Sequence, residues 1–339
     1  MTEIQIVRFG GPEVFRAVQR PAAPLPSGHV RIRVSASGIN FADVQMRMGL
    51  YPEAPRLPFA PGFELAGVIA EVGPDVHVFR PGERVLAACR FGGYADEIVL
   101  PVQNCRKTPL RLSDVEAASI PVSFMTAWIA LMEMGRVREG DRVLVPGAAG
   151  GVGSAIVQVA ARSGAQVIGL VGSSEKKDVA RALGAAHALT YDEFAGRNGP
   201  DSRDFDVILD ARGGADLKDS MRRLAPGGRV VSYGVSSLVS GHTRSIMQTV
   251  FRLLKTPLLT PIGLAMGNAG IFGLNMLKLF DTAQGLELLM KALDWTLEGF
   301  ENGLYRATVG KVFPLAEAGA AHAYLQSRKN TGKIVLRCT

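Results

Sequence analysis

The residues best suited to chemistry lie in RVLVPGAAGGVGSAIVQVA, from Arg142 to Ala160. An apolar β-type run passes straight into glycines and then into a helical pattern. That order brings unpaired backbone N–H groups and the positive end of a helix dipole to one point, where a pyrophosphate fits. Gly150, Gly151 and Gly153, with Val152 between them, let the chain turn tightly and let phosphate oxygens reach the amides. The fingerprint departs from the usual spacing at one position, where glycine or alanine is expected and Ile156 stands. The next β-type run, VIGLVG, ends in Ser173 and Ser174, with Glu175, Lys176 and Lys177 behind them. An NAD site places a carboxylate at such a strand end to accept from the ribose 2′-hydroxyl. Two hydroxyls and an ammonium instead donate to a 2′-phosphate, so the cofactor expected from Ser173, Ser174 and Lys176 is NADPH.

The elements that carry this loop show two grammars. From Ile4 to about Leu110, short alternating runs at His29–Ala36, Glu64–Val72, Glu83–Ala88 and Tyr94–Leu100 are separated by Gly/Pro turns, which predicts a twisted, barrel-like β domain. Ser113 followed by Glu116 is a capping-box signature, and a helical region is expected from there to about Met134. Strands at Arg142–Pro146, Gln166–Val171, Val207–Asp210 and Arg229–Tyr233 then alternate with helices at Val152–Ser163, Lys176–Leu183 and near Leu217–Leu224. Such alternation predicts an α/β fold with a doubly wound parallel sheet. A further strand at Ile271–Phe272 and a helix from about Thr282 to Thr296 follow. After about Gly303 short strands return, Ala307–Phe313 and Lys333–Arg337, around a helix at Leu315–Ser327. The tail is therefore expected to rejoin the first domain, with the α/β domain inserted between its two parts.

Composition narrows the function. A chain of 339 residues corresponds to roughly two domains. With 47% hydrophobic and 20% charged residues it can bury a sizeable core. The net charge of +7 comes from basic residues spread along the chain without a dense block, so no nucleic-acid partner is expected. Cys89, Cys105 and Cys338 are too few and too scattered for a disulfide framework, which suits a reducing cytoplasm. MTEIQIVRFG lacks a basic leader followed by an apolar run, so no secretory address is expected. The apolar stretch Ile246–Phe280 is interrupted by Arg252, Lys255, Pro257, Pro261 and Lys278, and does not read as a membrane span.

GAAGGVGSAIVQVA, taken with GINFADVQMRMGLYP (Gly38–Pro52), PGFELAGVIAEVG (Pro61–Gly73), PVSFMTAW (Pro121–Trp128) and TGKIVL (Thr331–Leu336), resembles the medium-chain dehydrogenase/reductases. Within them it is similar to the zinc-independent quinone oxidoreductases, and GNAGIFGLNMLKLF (Gly267–Phe280) is similar to the vesicle amine transport protein-like group. The resemblance implies a GroES-like β-barrel domain over 1–120 and 304–339 and a Rossmann NADPH-binding domain over 121–303. Zinc-dependent relatives carry a Cys near the position of Asn40 and Gly-His-Glu where this chain has Gly62-Phe63-Glu64. Phenylalanine cannot ligate zinc, so no metal is expected and Glu64 is read as holding the domain's geometry. The resemblance places Asn40 and Tyr51 near the nicotinamide as catalytic residues, with Asp43 supporting them. It adds Thr126, Tyr191 and Asn330 to the cofactor site, and Phe272 and Gly273 as backbone groups for the carboxamide.

Without a Lewis acid, hydride is expected to pass to an acceptor that is already electrophilic, a quinone or an α,β-unsaturated carbonyl compound. Asn40 suits donation to a developing enolate and Tyr51 suits proton donation. A homodimer is expected from the resemblance. Two alternatives stand beside this reading. One is a nucleotide-binding, membrane-peripheral protein with little turnover, using the apolar 246–280 segment and the positive charge. The other is an enoyl-thioester reductase.

Overall fold

The computed structural model describes residues 1–197, 203–238 and 256–338. Positions 246–255 of the apolar stretch singled out above lie outside the described residues. The described chain packs as two compact units. Residues up to Met125 and from Leu279 onward form the first, and 126–238 with 256–278 form the second.

In the first unit a seven-stranded sheet runs Val309–Pro314, Lys333–Arg337, His29–Ile39, Glu64–Val72, Arg84–Ala88, Cys105–Lys107, with Glu97–Pro101 also pairing against His29–Ile39. All pairings are antiparallel except that of Val309–Pro314 with Lys333–Arg337. Along His29–Ile39 the residues Val30, Ile32 and Val34 alternate inward while Arg31 and Arg33 stay out of the core, the period-2 signature of a half-buried strand. From Ala36 to Ile39 every residue is buried, because here the C-terminal strand lies alongside, with Ile334 opposite Ile39. The returning tail thus completes the first unit's sheet. The helix Ala283–Glu301 also counts with this unit, its start capped by Thr282 Oγ1, which accepts from Gly285 N at 3.1 Å.

In the second unit six parallel strands stand in the order His187–Thr190, Gln166–Val171, Arg142–Pro146, Phe205–Asp210, Leu224–Ser232, Gly270–Gly273. Val143, Leu144 and Val145 are all buried, as expected of a central strand covered on both faces. Chain order reverses on either side of Arg142–Pro146, which makes its carboxyl end the switch point where such sheets open a crevice. Strand His187–Thr190 and helix Tyr191–Arg197 were not anticipated, since a four-residue strand is too short to display a period. The single helical region expected up to Met134 is instead a short helix Asp114–Ala117, a helix Pro121–Trp128 and a π-helical stretch Ile129–Met134.

Candidate functional site

At the switch point, Pro146 leads into Gly147, which takes φ +69° and has nothing within 4 Å of where a Cβ would stand. Gly150 is the N-cap of the helix Gly151–Arg162 and supplies no side-chain cap, so the N–H groups of Gly151, Val152 and Gly153 open the helix without intrahelical partners. A Cβ on Gly153 would lie 2.1 Å from Gly147 O, whereas one on Gly150 would lie 3.2 Å from the same oxygen. Gly153 is therefore required by the close packing of loop on helix, and Gly147 by its positive φ. The donor set and the open cradle fit a dinucleotide pyrophosphate.

At the end of the next strand Gly172 faces open space, Ser173 stands at the N-cap position of a single turn Ser174–Lys176 without a side-chain capping bond, and Ser174 is exposed. Lys176 is partly buried, which pushes its ammonium below the ordinary value. Lys177 behaves differently: it donates to Glu193 Oε1 at 2.6 Å and, with Thr190 N–H on the other oxygen, holds that carboxyl down to about 2. The Glu193 carboxylate on the following helix is thus engaged by Lys177 and the Thr190 amide. Tyr191 opens that helix. Burial raises its phenol above the ordinary value, the Arg212 guanidinium and the Gly147 backbone act on it in the opposite sense, and that guanidinium stands 5.4 Å over its ring. The fold therefore brings Tyr191 to the glycine loop. Arg212, ion-paired with Asp216, is a neighbour that sequence reasoning missed. Thr126 is buried in the helix Pro121–Trp128. Phe272, on the edge strand Gly270–Gly273, is 43% exposed and lines a hollow of about 400 Å³ with Arg229, Leu264 and Asn268, apart from the glycine-loop residues.

The other candidate residues stand in the first unit. Asn40 precedes the helix Phe41–Arg47, and its side chain is held from both ends. Lys333 Nζ donates to Asn40 Oδ1 at 2.6 Å, and Asn40 Nδ2 donates to Glu64 Oε1 at 2.9 Å. Lys333 Nζ is also 2.5 Å from Glu64 Oε1 and 3.3 Å from Ser123 Oγ, and Glu64 Oε2 accepts from Val122 N at 2.8 Å. Gly38 makes room for this carboxylate, since a Cβ there would fall 2.5 Å from Glu64 Oε1. Glu64 thus does tie several segments together, as its position in Gly62-Phe63-Glu64 suggested. Lys333 was missed. The available signal was a lysine opening an apolar strand, because a buried ammonium requires anionic or dipolar partners.

Asp43 accepts from the backbone N–H of Asn40 at 2.8 Å and of Gly62 at 3.0 Å, and so fixes both motifs. Its burial outweighs these bonds and pushes the carboxyl up to about 7. The Tyr94 hydroxyl donates to Asp43 at 3.2 Å and lies 3.0 Å from His322 Nε2, and burial holds the imidazole neutral, far below its ordinary value. Tyr51 is half-buried, and burial together with Glu53 and Asp43 raises its phenol to about 12, which keeps the proton on it. Asn330 donates to Gly332 O at 3.1 Å in the turn that delivers Lys333. Among the described residues no group of three or more His, Cys, Asp or Glu side chains is arranged to hold a metal ion, and no helix is long and apolar enough to cross a membrane.

Comparison with known proteins agrees with this geometry. The family described as Alcohol dehydrogenase GroES-like domain matches residues 26–110, and that described as Zinc-binding dehydrogenase matches residues 183–336. The synaptic vesicle membrane protein VAT-1 homolog of Rattus norvegicus is 31% identical over 97% of this chain and 82% of its own length. The quinone oxidoreductase of Lama guanicoe is 31% identical over 99% of this chain and 97% of its own. Among solved structures, the quinone oxidoreductase from Thermus thermophilus, studied also in its complex with NADPH, is 34% identical with a TM-score of 0.81, covering 99% of this chain and 100% of that one. Likeness along nearly the whole length, on a GroES-like unit and a Rossmann-like parallel sheet, shows that the chain belongs to the quinone oxidoreductase-like branch of the medium-chain dehydrogenase/reductases.

Proposed function

We propose that this protein is an NADPH-dependent oxidoreductase that delivers hydride to quinones or α,β-unsaturated carbonyl compounds. The observation that carries the reading is the pairing of an uncapped glycine-loop helix with a following strand that ends in Ser173, Ser174 and Lys176 where an NAD site has an acid. The NADPH complex of the Thermus relative supports it. In this reading the amides of Gly151, Val152 and Gly153 hold the pyrophosphate, while Gly150, whose own N–H is spent on Gly147 O at 2.8 Å, shapes the turn rather than donating; Ser173, Ser174 and Lys176 hold the 2′-phosphate beside Tyr191. Thr126, Asn330 and the backbone of Phe272 serve the nicotinamide half, and 121–303 acts as the cofactor domain. Residues 1–120 and 304–339 act on the acceptor. When bound, the reduced nicotinamide supplies the hydride. Asn40 donates through Nδ2 to the oxygen on which negative charge develops, and Tyr51, held protonated, supplies a proton. The enzyme works in the cytoplasm as a homodimer.

The test follows loss of NADPH and NADH absorbance across a panel of quinones, enones and enoyl thioesters. Turnover with NADPH and a quinone or enone is expected. Turnover confined to enoyl thioesters would replace the acceptor class, and no binding of either dinucleotide by calorimetry would overturn the reading. The exposed side chains of Leu258, Ile262 and Met266, on and just before the helix Pro261–Gly267, favour a second reading: a nucleotide-binding, membrane-peripheral protein. Sedimentation with acidic liposomes in the absence of any turnover would select it.

A further inference from the structure

The most unusual buried group in the first unit is the ammonium of Lys333, 4% exposed and bonded to three acceptors: Glu64 Oε1, Asn40 Oδ1 and Ser123 Oγ. Three N–H donors meet three acceptors, so the group is fully satisfied. A buried ion pair is nevertheless a poor device for stability, because desolvating both charges offsets most of their attraction. What the pair does achieve is control of one amide. The ammonium faces the Asn40 oxygen and the carboxylate faces the Asn40 nitrogen. The flipped amide would set NH₂ against NH₃⁺ and C=O against COO⁻, so a single orientation survives.

That orientation has a chemical consequence. A cationic donor 2.6 Å from the amide oxygen draws electron density away from nitrogen through amide conjugation, which makes Nδ2–H a stronger donor. One Nδ2 hydrogen is taken by Glu64 at 2.9 Å. The second has no partner among the described residues, and Asn40 keeps 8% of its surface open.

We propose that Lys333 is a positioning residue which orients and polarises the Asn40 amide, so that its second Nδ2–H stabilises the oxyanion formed on the acceptor. The inference rests on the function proposed above. In the step concerned, hydride brings one hydrogen and two electrons to the β-carbon of an enone. The C=C π pair shifts to leave an enolate with its negative charge on oxygen, NADP⁺ is formed, and the enolate then takes one proton from Tyr51 or water. Asn40 meets the charge on the oxygen, and Lys333, through Asn40, strengthens that hydrogen bond without touching the acceptor.

A double-mutant cycle tests the idea: wild type, Lys333→Met, Asn40→Ala and the double variant, with kcat measured on one enone and the NADPH Kd by calorimetry. Lys333→Met is expected to lower kcat roughly 10- to 100-fold with NADPH affinity within about twofold of wild type. In the Asn40→Ala background the same change should lower kcat by less than about twofold, since the group it acts through is gone. Equal losses in both backgrounds, or no loss at all, overturn the proposal. Should Lys333→Met fail to fold, the cycle runs with Glu64→Gln/Lys333→Met, which removes both buried charges, and the same two results decide. A wild-type enzyme that reduces no acceptor removes the functional reading itself and this inference with it. An active wild type with additive losses removes only the role of Lys333.

Discussion

The Tyr94 hydroxyl donates to Asp43 Oδ2 across 3.2 Å, with both side chains sealed from solvent. Burial lifts the Asp43 carboxyl to about 7 from its ordinary 3.8, in spite of the N–H groups of Asn40 and Gly62 that favour its charge. The folded chain therefore binds this proton more tightly than the unfolded chain. The stability it contributes is full below about pH 4 and is lost as pH rises through about 7, an effect on the order of a few kcal/mol. Thermal unfolding of wild type and Asp43→Asn should show wild type losing stability relative to the variant between those two values. Parallel profiles would refute the assignment.

The buried pair Glu64 and Lys333 makes a separate stability prediction. Lys333→Met leaves a carboxylate that is 0% exposed without its cation, at a cost of about 3–5 kcal/mol. Glu64→Gln/Lys333→Met removes both charges and should recover much of that loss. Urea unfolding of the two variants checks the order. A double variant as unstable as Lys333→Met would show that the uncompensated charge is not the cause.

At the glycine loop the two nearest glycines should respond differently. Gly153→Ala drives a methyl to 2.1 Å from Gly147 O and must move the loop or the helix, costing about 1–3 kcal/mol and weakening dinucleotide binding. Gly150→Ala meets the same oxygen at 3.2 Å from a φ of −85°, which any residue adopts, and should cost clearly less. Melting temperatures of the two variants decide, and a Gly150→Ala protein that melts lower would contradict the packing described.

The three thiols are all buried, and burial pushes Cys105 and Cys338 up to about 12 and raises Cys89 as well. A thiol that holds its proton and meets no solvent is a poor nucleophile. Titration with a thiol-reactive chromophore near pH 8 should therefore give almost no fast reaction in the native protein and three equivalents after denaturation. A rapid native equivalent would expose one of these burials as wrong.

Lys176→Ala should raise the KM for NADPH by roughly tenfold, the scale of one lost charge-assisted hydrogen bond, and leave that for NADH largely unchanged. Steady-state kinetics with both cofactors settles the point, and equal effects would remove Lys176 from the 2′-phosphate site.

Much of the fold was legible in the chain because its signals are local. A strand that runs into glycines and a helix announces its geometry within Arg142–Ala160, and the 2- and 3.6-residue periods mark most strands and helices around it. The short elements escaped this reading, and with them the place of Tyr191 at the head of a helix against Gly147 and Arg212. Asn40, Glu64 and Lys333 were visible as letters, but their mutual bonds were not. Those bonds depend on which strands lie side by side and in what register: Ile334 opposite Ile39 is what sets Lys333 beside Asn40. A polar side chain's partners in the interior are chosen by packing between distant segments, which local periodicity does not encode. Residue types and spacing thus determined a nucleotide loop and its supporting sheet. Tertiary packing alone decided the buried ion pair that holds Asn40 and the Asp43–Tyr94–His322 chain behind it.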